Sequence, residues 1–108
     1  AEIGKSVVIA HRLGVRIAFG TDAGVYRHGV NANEFALLMQ FGGLSPREAL
    51  VTATVNAADL LGLAGEIGTL AVGKSADIIA LDGNPLDDIR ATERVRFVMA
   101  RGVVIRQD

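Results

Sequence analysis

One carboxylate, Asp22, stands where this sequence could carry out chemistry. The run Val15-Arg16-Ile17-Ala18-Phe19-Gly20 is short and almost continuously apolar, the pattern of a strand buried on both faces. Side chains alternate along a strand, so Ile17, Phe19 and Thr21 share one face while Ala18, Gly20 and Asp22 share the other. The first face is bulky and suits helix packing. The second is small and finishes in a carboxylate at the strand's C-terminal end, which in an α/β barrel is the end where catalytic groups collect. An aspartate placed there can ligate a divalent metal, or take a proton from metal-bound water and pass it to a leaving amine. Taken alone, an aspartate that ends a strand is more often a turn or cap residue.

The elements that must position Asp22 follow from periodicity and capping. Ile3, Val7 and Ala10 keep helical spacing, so a helix is predicted from about Glu2 to Leu13 and Gly14 ends it as a left-handed cap. After the strand, Thr21-Asp22-Ala23-Gly24 opens a loop that reaches roughly Val30. Asn31 with Glu34 three residues later resembles a capping box for a helix through Phe35, Leu38 and Met39, stopped by Gly42-Gly43. Ser45-Pro46-Arg47-Glu48 is a stronger helix start. Ser45 can cap, Pro46 occupies the first helical position where its missing N–H costs nothing, and Glu48 reaches back. That helix is predicted to run through Leu50, Ala53, Ala57 and Leu61 to Gly62.

Beyond Gly62 the character changes. Glycines 65, 68, 73 and 83 punctuate β-prone runs at Thr69–Ala71, Asp77–Leu81, Val95–Met99 and Val103–Ile105, with Arg101-Gly102 as a hairpin turn. The expected order is αβαα followed by an antiparallel β layer, with a boundary near Leu63–Gly65. A parallel strand with no neighbour leaves buried ladder groups unpaired, so the partners of Val15–Gly20 are expected to come from sequence outside this chain or from other copies.

Composition narrows the function classes. The 108 residues are 50% apolar, much greasy sequence for a chain that buries only about 60–65% of its unfolded surface. Eleven basic and twelve acidic residues, without blocks, leave a net charge of −1 and no footprint for nucleic acid or an anionic membrane. The absence of cysteine excludes disulfides and Cys-based zinc sites and fits a reducing cytoplasm. No apolar run approaches the ~18 residues of a membrane span. The chain opens on Ala1 without an initiator Met and is already in helical spacing, which suggests a fragment, processing of the N-terminus being the other reading.

Phe19-Gly20-Thr21-Asp22-Ala23-Gly24 followed by Tyr26-Arg27-His28-Gly29 resembles the last barrel strand and loop of the amidohydrolase superfamily, in its imidazolonepropionase-like and metal-dependent dipeptidase branch (Xaa-Pro or Xaa-Arg dipeptidases). The resemblance continues in order through residues 45–50, 54–62 and 68–79, Asn84-Pro85-Leu86, and 98–104, and so covers nearly the whole chain. It implies the C-terminal end of a (β/α)8 barrel over residues 1–63 and the C-terminal part of a composite β-sandwich over 64–108. It further implies one or two divalent metals, often zinc, with Asp22 as both metal ligand and proton shuttle. Metal-activated hydroxide would then attack an amide or peptide bond of a small substrate, a dipeptide or a cyclic amide. The family's histidines and its carboxylated lysine lie upstream. One carboxylate cannot hold a catalytic zinc, which needs about three protein ligands, so this chain alone is expected to be inactive.

Around Asp22 the resemblance places His28 against the substrate pocket; a solvated loop histidine is the equal alternative. Tyr26 and Arg27 could touch a peptide carboxylate, Arg27 through a bidentate clamp. His11 reads as an exposed structural residue, Asn56 as a local hydrogen-bonding residue shared with relatives, and Lys74 and Asp77 as turn chemistry. Two other readings stay open: a non-catalytic structural or assembly module that keeps the fold, and an independently folding ligand-binding domain. The expected partners are a small-molecule or dipeptide substrate, with no nucleic acid and no membrane. Unpaired strand edges and barrel-facing surface would drive homo-oligomerisation, or association with the missing part of the barrel.

Overall fold

In a computed structural model of the chain, residues 4–25 and 27–108 are described, and they form four helices, one 3-10 turn and a single antiparallel sheet. The helices are α1 (Lys5–Arg12), α2 (Asn33–Gly42), α3 (Pro46–Ala53) and α4 (Val55–Leu60); the strands are β1 (Ile78–Leu81), β2 (Val95–Ala100) and β3 (Val103–Gln107). The β layer follows the helices as predicted. The αβαα order ahead of it does not hold, since no strand forms at residues 15–20 among the described residues and the last predicted helix is divided in two. None of the helices is long and apolar enough to cross a membrane.

Helix α1 ends as expected, with Gly14 at a φ of 75° and the N–H groups of Gly14 and Val15 donating back to the carbonyls of His11 and Ala10. The capping box of α3 is complete. The Glu48 N–H donates to Ser45 Oγ at 3.2 Å, and the Ser45 N–H donates to Glu48 Oε2 at 2.8 Å. A corresponding box at Asn31 does not form. Helix α2 starts two residues later, after Ala32, with no side-chain cap. The Asn31 side chain is spent elsewhere, as described below.

The predicted single helix from Pro46 to Leu61 is broken at Thr54, whose φ of −119° and ψ of −85° lie outside the helical region. The Thr54 hydroxyl donates to the Leu50 carbonyl at 2.9 Å, the local competition through which threonine bends helices. Gly62, at a φ of 73°, closes α4. Gly68 then lets the chain return over the break. A Cβ on Gly68 would lie 2.7 Å from the Ala58 Cβ and 3.0 Å from the Thr54 carbonyl oxygen, and its φ of 94° favours glycine independently.

The sheet has the order β1-β2-β3, antiparallel throughout. Arg101 and Gly102, at φ values of 49° and 78°, form the predicted two-residue hairpin turn between Ala100 and Val103. The Asp77 carboxylate accepts from the Arg101 N–H at 2.8 Å; that bond, ahead of one with Ser75, lowers its pKa. The run Thr69–Ala71 forms no strand, and a short 3-10 helix at Ile89–Glu93 has no counterpart in the sequence reading. Asp88 caps it by accepting from the Arg90 N–H at 3.0 Å. Residues 15–20 make no strand ladder among the described residues.

Burial is sparse. The buried apolar residues among those described are Leu44, Ala49, Ala58, Ile89 and Ala91, while Leu13, Leu60 and Leu70 are each 75% exposed. Strand β3 is exposed along its whole length. Alanines contribute little apolar area, so this core is small for the amount of apolar sequence it must organise.

The capping box carries a pH signature. The N–H of Ser45, then its hydroxyl, and then His11 lower the Glu48 pKa against a raising effect of desolvation. A carboxylate with a depressed folded pKa stabilises the fold above its unfolded value, and that contribution is lost as pH falls through the folded value. Glu48→Gln in the full-length parent should therefore flatten the acid limb of the thermal stability profile below the ordinary glutamate range. A thermal midpoint that falls just as steeply with pH in the variant would show that the box does not titrate with folding.

Candidate functional site

Residues 15–21 run between two sets of helices and are held from both. On one side the Phe19 N–H donates to the Thr52 carbonyl at 2.9 Å. Asn56 Nδ2 donates to the Ile17 carbonyl at 3.0 Å, and Arg16 pairs with Asp59. On the other side the rings of Phe19 and Phe35 meet with centroids 4.5 Å apart, and Asn31 Nδ2 donates to Thr21 Oγ1 at 3.0 Å. The alternation read from the sequence holds over residues 19–22, while Ile17 and Ala18 are both half-buried. Phe19 and Thr21 engage α2 and its approach, whereas Gly20 and Asp22 are exposed, with open space where a Gly20 Cβ would lie.

Asp22 follows directly after this clamped segment. Its φ of 51° places a non-glycine residue in the left-handed region, where aspartate is among the better-tolerated residues but still costs about 1–2 kcal/mol. Its carbonyl accepts from the Val25 N–H at 3.3 Å, so the chain turns at once. Among the described residues no hydrogen bond or ion pair reaches its carboxylate. A strained position of this kind is where a functional side chain is looked for first.

Arg27 and His28 lie on the same loop, both exposed, with no bond joining either to Asp22. Tyr26 lies outside the described residues. The Asn31–Thr21 bond ties together the two ends of residues 22–30, so Asp22, Arg27 and His28 are carried on one closed excursion. The described residues bring no three His, Asp or Glu side chains within reach of a common metal ion. A cavity of about 670 Å³ opens on the far end of the loop, lined by Gly29–Ala32 together with Arg94, Arg96 and Arg106; Asp22, Arg27 and His28 do not line it. Its arginines pair with Asp88, Asp82 and Asp108.

The other polar residues sort themselves by contact. His11 is half-buried rather than exposed as expected, and its Nε2 lies 3.3 Å from Glu48 Oε2. Lys74 Nζ donates to the Ala64 carbonyl at 2.6 Å and, with Asp77, belongs to the turns. Asn56 departs from its local reading, because its bond crosses 39 residues to Ile17. No sequence signal at Asn56 specifies that partner, since the acceptor is a backbone carbonyl that any residue supplies.

The sequence pattern of the amidohydrolase family matches residues 6–105, and the chain belongs to that family. Ochratoxinase from Aspergillus niger is 39% identical over 90 residues, covering 82% of this chain and 18% of that protein. Imidazolonepropionase from Rubrobacter xylanophilus is 62% identical over 40 residues, 37% of this chain and 10% of that protein. Among solved structures, a Xaa-Pro dipeptidase with methionine bound in its active site superposes with a TM-score of 0.93 at 39% identity, over 97% of this chain and 26% of that one. The chain thus spans about a quarter or less of the length of these relatives.

Closure of the loop is testable apart from any activity. One hydrogen bond is worth about 1 kcal/mol, or roughly a fivefold change in an opening equilibrium. Asn31→Ala in the full-length parent should raise amide hydrogen exchange across residues 22–30 by about that factor. Unchanged exchange would show that the Asn31–Thr21 contact does not hold the loop.

Proposed function

We propose that this chain is the closing segment of a metal-dependent amidohydrolase, and that its parent hydrolyses amide bonds of small substrates, a dipeptide or a cyclic amide. Residues 1–63 form the end of a (β/α)8 barrel and residues 64–108 the C-terminal part of a β-sandwich beside it. The observation that carries the reading is Asp22: an exposed carboxylate, unpaired among the described residues, in a strained backbone conformation and delivered by a segment clamped on both sides. The absence of a ladder along residues 15–20 supports a strand whose neighbours lie in the rest of the barrel, and the exposed apolar faces of α1, α4 and β3 support extensive cover by the same polypeptide.

The donor chemistry at position 22 fits a divalent metal. A carboxylate is a hard oxygen ligand, and this one has no competing partner among the described residues. Asp22 supplies one ligand of the roughly three that a catalytic zinc requires, so the others come from the rest of the parent and this chain alone is inactive. When bound, the metal supplies Lewis-acid polarisation of the scissile carbonyl and acidifies the attacking water. Asp22 Oδ accepts the proton that this water releases and returns it to the departing nitrogen, so one carboxylate serves both halves of the proton transfer. Arg27, with Tyr26, receives the free carboxylate of a dipeptide, and His28 lines the same pocket. Substrates of this class fit the relatives, which include a Xaa-Pro dipeptidase and an imidazolonepropionase.

Asp22→Asn in the full-length parent keeps the side-chain shape and removes the proton acceptor. Turnover should fall by about 10²–10⁴-fold with KM little changed, and elemental analysis of the unmodified parent should return at least one zinc per chain. Near-normal turnover of Asp22→Asn would remove Asp22 from the mechanism. A parent free of divalent metal would instead identify a non-catalytic module that retains the fold.

A further inference from the structure

The α3–α4 pair contacts residues 16–19 in strict order. As the helix numbering rises through Thr52, Asn56 and Asp59, the contacted segment falls through Phe19, Ile17 and Arg16. The three contacts differ in kind. The Arg16–Asp59 pair joins two long or exposed side chains, with Arg16 70% exposed, and such pairs hold position loosely. Thr52 offers only its backbone carbonyl, which any residue at that position would offer. Asn56 alone, among the described residues, sends a side chain to the backbone of residues 15–20. The amide is half-buried, and the carbonyl it holds is fixed whatever side chain residue 17 carries.

A backbone-directed bond of this kind sets register. Slipping an extended segment by one residue moves every side chain to the opposite face. Here that slip would turn Asp22 toward the side on which Phe19 meets Phe35, and would present Thr21 or Ala23 in its place. The Phe19–Phe35 and Thr21–Asn31 contacts grip the segment further along, so the bond at Ile17 sets the register together with them.

We infer that Asn56 is a positioning residue for Asp22: its side-chain amide, by holding the Ile17 carbonyl 39 residues away, fixes the register at which the carboxylate leaves the segment. This rests on the reading of Asp22 as metal ligand and proton carrier. The role requires a donor. Aspartate has the same size but offers a carboxylate to a carbonyl oxygen, and leucine fills the volume without any polar atom.

The test uses the zinc-loaded full-length parent, with Asn56→Leu, Asn56→Asp and, in parallel, Asp22→Asn. Rates are normalised to folded, metal-loaded protein, and zinc affinity is measured separately by competition with a chelator. Both Asn56 variants should lose about 10–100-fold in kcat with KM within about threefold, and should release zinc to the chelator more readily by a comparable factor. If Asn56→Leu does not fold, Asn56→Asp carries the test. A severe defect in Asp22→Asn alongside unchanged kcat and zinc affinity in the Asn56 variants would overturn the positioning role and leave the reading of Asp22 intact. A loss confined to melting temperature or yield would equally overturn it, assigning Asn56 to stability alone. Near-normal turnover of Asp22→Asn would overturn the reading of Asp22 and the inference with it.

Discussion

The structure depends on how seven residues of extended chain are held without a sheet around them. Backbone N–H and C=O groups that leave water need partners, and residues 15–21 have no strand neighbour among the described residues. The α3–α4 pair answers part of that need through the Thr52 carbonyl and the Asn56 amide, and α2 grips the opposite side through Phe35 and, just ahead of the helix, Asn31. Register follows from these contacts, and at this register Gly20 and Asp22 are exposed.

The helices are arranged to serve that segment. The capping box at Ser45 and Glu48 fixes where α3 begins and therefore where Thr52 and Asn56 fall. The same Glu48 reaches His11 near the end of α1, so the helix entering the segment and the helix clamping it share one carboxylate. The break at Thr54 interrupts the helix between the two clamping residues and makes room for the close return of Gly68. Through that return the β layer is tied to the helical layer rather than trailing from it.

Much of this was legible in the sequence where a local signal sufficed. The alternation of Phe19 and Thr21 against Gly20 and Asp22 needs only an extended chain's period of two, and Ser45-Pro46-Arg47-Glu48 needs only helix-start chemistry. Arg101-Gly102 announces its hairpin in the same way. The readings that failed depended on competition between partners. Asn31 had the spacing of a cap, but Thr21 took its side chain; Thr54 lay inside a good helical pattern, but its hydroxyl found the Leu50 carbonyl. Asn56 looked local because nothing in a sequence shows which distant carbonyl an amide will meet. Membership of the amidohydrolase family was legible from motifs in order along the chain, and the family match over residues 6–105 agrees with it.

Zinc at position 22 is the central claim, and anomalous scattering from a crystal of the metal-loaded full-length parent addresses it directly. The account predicts an anomalous peak with an Asp22 carboxylate oxygen about 2.0–2.2 Å from the ion and the remaining ligands drawn from outside this chain. A metal fully ligated elsewhere, with the Asp22 carboxylate left in solvent, would contradict it.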